Sequence, residues 1–248
     1  MTTTSQPIGD IGIIRRFPVK GMAGEELEEA FVSFPGIVGD RVYAFLDPQN
    51  TTDFPWMTPR RWRGMILLKP RFLTSPSNGE GRLAAESFRV EVTMPDGSVR
   101  DVADPSFREF LEEKFGRPIE FRFSERSMHD SRPISIFGRG SIDALSAETG
   151  IKLDPRRFRS NFLVEWKSNE PFYEDSLVGR TLRVGEKLVL HVAKKDMRCI
   201  VITLDPDTAE PSPVVLETVA RKHESCSGIY ASVIHEGVVR RGDPVFVD

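Results

Sequence analysis

Residues 187–208, KLVLHVAKKDMRCIVITLDPDT, decide how the second half of this chain is read. Aliphatic and β-branched residues crowd both ends, so the stretch reads as a long β region broken near Lys194 to Asp196. Cys199 stands at the entrance of the second run, with Arg198 directly before it and two lysines just upstream. Only 2 cysteines occur in 248 residues, so one placed there asks for a reason. A thiolate is a soft ligand and a nucleophile, and cationic neighbours favour it over the thiol. A cysteine in such a run is equally read as a small buried hydrophobe. Spacing alone leaves both readings open.

Working outward, TLRVG and NFLVEW upstream and GIYASVIHEGVVRRGDPVFV downstream read as further strands. SPVVLETVARKHE reads as a helix with Ser212 as its cap and Pro213 in its first turn. SRPISIF is a strand that runs through Gly138 and Gly140 into the helix SIDALSAETG, which Gly150 ends. In the first hundred residues, short strands alternate with Gly and Pro punctuation, the pattern of a small barrel or sandwich. Pro95-Asp96-Gly97 marks a hairpin turn. Phe107, Phe110, Leu111 and Phe115 then fall at helical spacing, with Asp104 or Ser106 as cap and Gly116 as stop. The fold class is mainly β with short helices (α+β). That helix is the expected seam between two halves.

Composition excludes several classes. Hydrophobic residues at 39% and charged residues at 29% describe an ordinary globular chain. A formal net charge of -3 offers no general attraction to nucleic acid, so any positive site must be local. Two cysteines cannot build a disulfide framework or an all-cysteine zinc or iron–sulfur site. We expect no signal peptide in MTTTSQPIGDIGIIRRF, no membrane span, and a cytoplasmic location with free thiols. The histidines His129, His191, His223 and His235 show no metal spacing; His191 is expected to be structural, His129 and His223 surface residues. No GxSxG elbow is present.

Further candidates are cationic. RRFRSNF, residues 156–162, sets three arginines in four positions before a strand. If extended, it would put Arg157, Arg159 and Asn161 on one face, where guanidinium forks match an oxyanion; a solvated strand edge is the competing reading. PVKG carries Lys20 and GDRVYAFLD carries Arg41, each near a glycine. GRGS, with Arg139 and Ser141, opens a helix whose N-terminus offers free N–H groups, although no Walker motif follows.

Together these stretches resemble the MOSC proteins, named for the C-terminal domain of molybdenum-cofactor sulfurases. They are most similar to the two-part branch that includes the mitochondrial amidoxime-reducing component and its bacterial relatives. FPVKG, GIVGDRVYAFLD and MTPRR carry the likeness in the first half; FRSN, MRCIVITLDPDT, GIYASV and GDPVFV carry it in the second. The resemblance implies an N-terminal small β-barrel domain over 1–103, a helical connector over 104–128 and a MOSC β-barrel domain over 129–248. It implies a molybdenum–molybdopterin cofactor with Cys199 as metal ligand and catalytic centre. Lys20, Arg41, Arg139, Ser141, Arg159, Asn161, Arg198 and Tyr230 would contact that cofactor. This sequence departs from the family pattern at Gly21, Ser160 and Met197.

The activity implied is that of a molybdopterin-dependent oxidoreductase reducing N-hydroxylated compounds such as amidoximes and hydroxylamines. Asp196 is a candidate proton relay. The sequence has no plant-type cluster motif and no GxGxxG fingerprint, so we expect a separate electron donor: a ferredoxin, a flavoprotein or a cytochrome b5-like protein. The alternative is a sulfur carrier holding a persulfide on Cys199, or a cofactor carrier without reductase activity. Cys226 is expected to be structural.

Overall fold

The computed structural model describes residues 6–76 and 88–248. The opening residues 1–5, which the leader expectation concerned in part, lie outside the described residues. Among the described residues sixteen strands and three α-helices follow one another. The first nine strands are β1 (Gly9–Arg16), β2 (Glu25–Leu27), β3 (Glu29–Ser33), β4 (Gly36–Ile37), β5 (Tyr43–Leu46), β6 (Lys69–Phe72), β7 (Val90–Thr93), β8 (Val99–Asp101) and, after helix α1 (Pro105–Phe115), β9 (Glu120–Phe123). Then come β10 (Ile134–Gly138), α2 (Arg139–Thr149), β11 (Phe162–Trp166), β12 (Thr181–Val184), β13 (Leu188–Met197), α3 (Val214–Lys222), β14 (Cys226–His235), β15 (Gly237–Arg240) and β16 (Pro244–Val247).

Seven strands close a barrel in the order β11-β10-β14-β13-β12-β16-β1, because β11 pairs back onto β1; β2 hangs from the outer edge of β1. Only β10 and β11 run parallel, as a strand–helix–strand crossover through α2 requires. Inward-facing apolar residues fill the barrel, among them Ile14, Ile134, Phe162, Leu190, Val192 and Ile229. β1 comes from the opening of the chain, and β15 pairs with β3, so the two halves exchange strands.

The first half packs a three-stranded sheet, β6-β7-β8, and a two-stranded sheet, β5-β9, around one core of Phe45, Met57, Met65, Val92, Phe107 and Leu111. Each buried Phe or Leu there contributes about 1.5–3 kcal/mol. α1 forms where its pattern predicts: Asp104 accepts from the Ser106 N–H at 2.7 Å, and Gly116 ends it in the left-handed region at φ 68. α3 starts one residue later than expected. Pro213 flanks it in helical conformation with no side-chain cap, and Ser212 plays no capping part.

A third core joins α2 and α3 through Ile142, Leu145, Val215 and Val219, with Phe158 and Ile202 wedged between. Those last two residues anchor two single 3-10 turns, Pro155–Phe158 and Ile200–Thr203. Both correct the sequence reading. RRFRSNF is not an extended segment, and Cys199 does not open a strand. It precedes a turn whose packed residue is Ile202. Among the described residues no helix is long and apolar enough to cross a membrane.

Candidate functional site

The Ile200–Thr203 turn holds Cys199 half-buried at the wall of a cleft of about 400 Å³ between the two halves. Strand β13 delivers the chain to this point. The Arg198 N–H then bonds Ser225 O at 2.8 Å, and the Ile202 N–H closes the turn on Cys199 O at 3.2 Å. Lys20, Arg41, Arg60, Arg159, Lys194 and Arg198 line the same cleft, against the carboxylates of Asp130 and Asp196. Cations thus outnumber carboxylates along this cleft despite the chain's net negative charge.

Several of these cations are already neutralised. Lys20 donates to Asp130 and, at 2.7 Å, to Met128 O. Burial pulls its ammonium below the ordinary lysine range, against the pull of Asp130. Arg41, held at φ 51, pairs with the fully buried Asp40. Arg198 reaches Asp196 at 2.9 Å, Phe158 O at 2.8 Å and Ser227 O at 2.7 Å; its Nη2 is buried without a partner among the described residues. Gly228 sits against that nitrogen. Its φ of 76 excludes other residues, and a Cβ there would lie 3.1 Å from Nη2 and 2.8 Å from Ile136 O.

Arg159 differs from the rest. It leaves the Pro155–Phe158 turn in the left-handed region at φ 54, donates to Met22 O at 2.6 Å, and makes no ion pair among the described residues. Its guanidinium and that of Arg41 both stack on the Phe17 ring, 4.5 and 4.6 Å from its centroid. Burial first, then the neighbouring Arg41 charge, lowers its pKa to about 10. It is the cation with most to gain from a bound anion.

Opposite lies a buried carboxyl network. Asp196 accepts from Ser135 Oγ at 3.1 Å and from the Tyr230 hydroxyl as well as from Arg198. Burial raises the Asp196 carboxyl above the ordinary carboxylate range, more than Arg198 lowers it. The Tyr230 phenol is raised too, by burial and then by Asp196.

The cleft therefore gathers Cys199, Lys20, Arg41, Arg159, Arg198 and Tyr230, as well as Asp196. Three other sequence candidates stand elsewhere. Asn161 is fully committed behind the wall: its amide donates to Arg15 O at 3.1 Å and Asp40 at 3.2 Å and accepts from the Ser135 N–H at 3.1 Å. It positions other residues. Arg139 reaches outward to Glu165 at 3.4 Å. Ser141 donates to the buried Glu174 at 2.9 Å, which also accepts the Gly138 N–H at 3.1 Å. Glu174 thus occupies the helix N-terminus that GRGS seemed to offer, and no free N–H cradle faces the cleft.

Burial raises the Glu174 carboxyl above its ordinary 4.5. A raised carboxyl stabilises the protonated folded state, so its contribution is full below 4.5 and is lost as pH climbs through the raised value. Glu174→Gln should therefore gain on wild type above pH 4.5. The gain should grow as pH rises from 4.5, because the unfolded wild-type chain then gives up this proton more readily than the folded one. Urea unfolding at stepped pH checks this, and a pH-independent gap between the two proteins would contradict it.

Sequence reasoning missed four lining residues: Thr58, Arg60, Asp130 and Ser135. Thr58 and Arg60 sit in MTPRR, so the motif was in view but not its chemistry. The Thr58 hydroxyl is buried without a partner among the described residues. His129 is no surface residue: Nε2 lies 2.9 Å from Pro35 O, and burial lowers its pKa. His223 packs on Phe172 and meets Glu148 at 2.8 Å. At Gly21, φ is 86 and an added Cβ would lie 2.9 Å from Met65 Sδ, which is why no side chain stands there.

The MOSC domain family matches residues 124–246. These residues form a MOSC domain. The match runs from the end of β9 through β16 and so takes in the Cys199 turn, Arg159 and Tyr230. The MOSC domain's barrel nevertheless takes β1 from outside the matched stretch. Among solved structures, the YUAD protein from Bacillus subtilis is similar at 14% identity, over 96% of this chain and 94% of that one, with a TM-score of 0.48. YiiM from Geobacillus stearothermophilus is similar at 16% identity over 47% of this chain and 54% of its own, TM-score 0.38. YiiM from Escherichia coli is similar at 17% identity over 48% and 55%, TM-score 0.34. No curated protein matches the chain by sequence.

Proposed function

We propose that the cleft binds a molybdopterin-type molybdenum cofactor, with Cys199 as its protein ligand, and that the chain reduces N-hydroxylated compounds. The observation that carries this reading is a half-buried thiol on a packed turn, in a cleft lined by cations from both halves of the chain. The residues suit the group. A phosphate-bearing ligand needs cations not already neutralised, and Arg159 is one; a molybdenum centre accepts a thiolate. The buried Arg198 Nη2 and Thr58 Oγ1 lack partners among the described residues, and a ligand with many acceptors and donors would give them some.

When bound, the group would supply the two electrons that cleave an N–O bond. The chain's residues do the rest. Arg159 would hold the phosphate, with Arg41 beside it on the Phe17 ring, while Lys20 stays paired with Asp130. The Cys199 thiol, held by its turn, would be the protein ligand to the metal. Asp196 holds a proton at its carboxyl above the pH at which an exposed aspartate loses it, within the network it shares with Tyr230. Reduction of R–NHOH to R–NH2 and water consumes two electrons and two protons. Asp196 is placed to deliver one of those protons. The exposed Met197 lines the cleft near Cys199 and adds an apolar surface there. Electrons come from a separate donor: a ferredoxin, a flavoprotein or a cytochrome b5-like protein.

The test is turnover by the purified protein with a reduced viologen dye and benzamidoxime. Benzamidine should form in proportion to bound molybdenum, and NADH alone should support none. Protein that purifies without molybdenum but with cyanide-releasable sulfur on Cys199 would replace this reading with a sulfur carrier.

A further inference from the structure

A second cavity, of about 350 Å³, adjoins the Cys199 cleft and shares Arg157, Arg159 and Val201 with it. Its polar lining includes Arg15, Lys69, Arg71 and Arg157; Ile66, Pro70, Leu204 and Pro206 give it apolar walls. Two of the arginines have an unfilled hydrogen-bonding capacity. The side chains of Arg15 and Arg157 are each only 5% exposed. Arg15 spends Nε and Nη2 on Glu26, at 3.1 and 2.8 Å, and its buried Nη1 has no acceptor among the described residues. Arg157 spends Nη1 on Thr203 O at 2.6 Å and Nη2 on Asp205 at 3.0 Å, and its buried Nε has none.

A charged N–H withdrawn from water and left without an acceptor carries its full desolvation penalty, and a bound acceptor would remove it. The two arginines that carry such donors belong to the lining of one cavity. The acidic residues there, Glu25 and Glu26, are already paired with Arg16 and Arg15, whereas Lys69 has no ion pair among the described residues and Arg71 only a long one, 3.6 Å from Glu91. The charge left over is positive, and a planar guanidinium matches phosphate oxygens.

From this we infer that the cavity is a nucleoside-phosphate site: phosphate on the side of Arg15 and Arg157, the flat ring against Ile66, Pro70 and Leu204. The same chemistry can come from a free nucleotide or from the nucleotide end of an extended cofactor held in the adjoining cleft. The second source rests on the function proposed above; the first does not.

The experiment has two arms. Full-length Cys199→Ser protein is titrated calorimetrically with GMP and CMP at low salt, with guanosine as the uncharged control. Purified wild-type protein is hydrolysed in acid, and released nucleotide is measured beside molybdenum. A free-nucleotide site gives submillimolar binding of GMP or CMP, at least tenfold tighter than guanosine. A cofactor extension gives about one nucleotide released per molybdenum. In the first case Thr93→Trp, which fills the cavity, and Lys69→Glu, which reverses a surface charge and stands in should the first variant not fold, each weaken binding at least tenfold. The inference is overturned if neither arm detects nucleotide, or if binding survives both substitutions. Molybdenum content alone judges the earlier reading, so the two fail separately.

Discussion

Cys199→Ser protein should purify with less than a tenth of the wild-type molybdenum, while Cys226→Ser keeps it. Serine preserves the size of the side chain and the geometry of the turn, because the turn is closed by backbone bonds and by Ile202 packed against α2 and α3. Only the donor atom changes, from a soft thiolate to a hydroxyl that stays protonated. The measurement separates ligation from folding when both variants unfold at the same temperature as cofactor-free wild type, since a bound cofactor would itself raise the wild-type value. Cys226, on β14, is the register partner of Met197 on β13 and is also half-buried, but burial raises its thiol pKa, which disfavours the thiolate a metal needs. If Cys226→Ser lost the metal as completely, the assignment of a single protein thiolate would fail.

Which parts of this were legible beforehand follows from the range of the forces involved. The α1 cap, its glycine stop and the Pro95-Asp96-Gly97 hairpin are local, set by residues within one turn of each other, and they appear where their patterns place them. The extended reading of RRFRSNF failed because the segment answers to distant groups. Asp154 caps a turn, Phe158 docks against Phe137, Arg157 is drawn onto Thr203 and Asp205, and Arg159 is left to turn into the cleft. GRGS failed for a related reason: Glu174, more than thirty residues on, reaches the helix start first. No local pattern could show that β1 closes a barrel built from residues beyond 130. Cys199, Arg198, Lys20 and Arg41 were found through whole motifs. Of the carboxylates that restrain these cations, Asp196 was singled out only as a proton relay and Asp40 and Asp130 not at all, since a motif shows which residues recur and not which charges need balancing.

Asp40 is the clearest of those omissions and the second place where a large effect is expected. It lies between Gly39 and Arg41, in a motif read only for its base, yet it is fully buried. One oxygen accepts the Phe17 N–H at 2.7 Å; the other accepts the Asn161 amide at 3.2 Å and the Arg41 guanidinium. Three segments therefore meet on one carboxylate: the end of β1, the approach to β5 and the approach to β11. Removing one partner of a buried pair leaves the other charge uncompensated and costs about 3–5 kcal/mol. Asp40→Ala should lose that much in urea unfolding followed by tryptophan fluorescence. Asp40→Asn should lose less, because an amide oxygen still serves the Phe17 N–H. The loss should exceed that of a simple missing hydrogen bond, because Arg41 and Arg159 stack on the same Phe17 ring and Asp40 supplies the negative charge beside them. A decrease below about 1 kcal/mol, the scale of one neutral hydrogen bond, would mean that Arg41 finds another acceptor, and the two cations would then not depend on Asp40 to share the cleft.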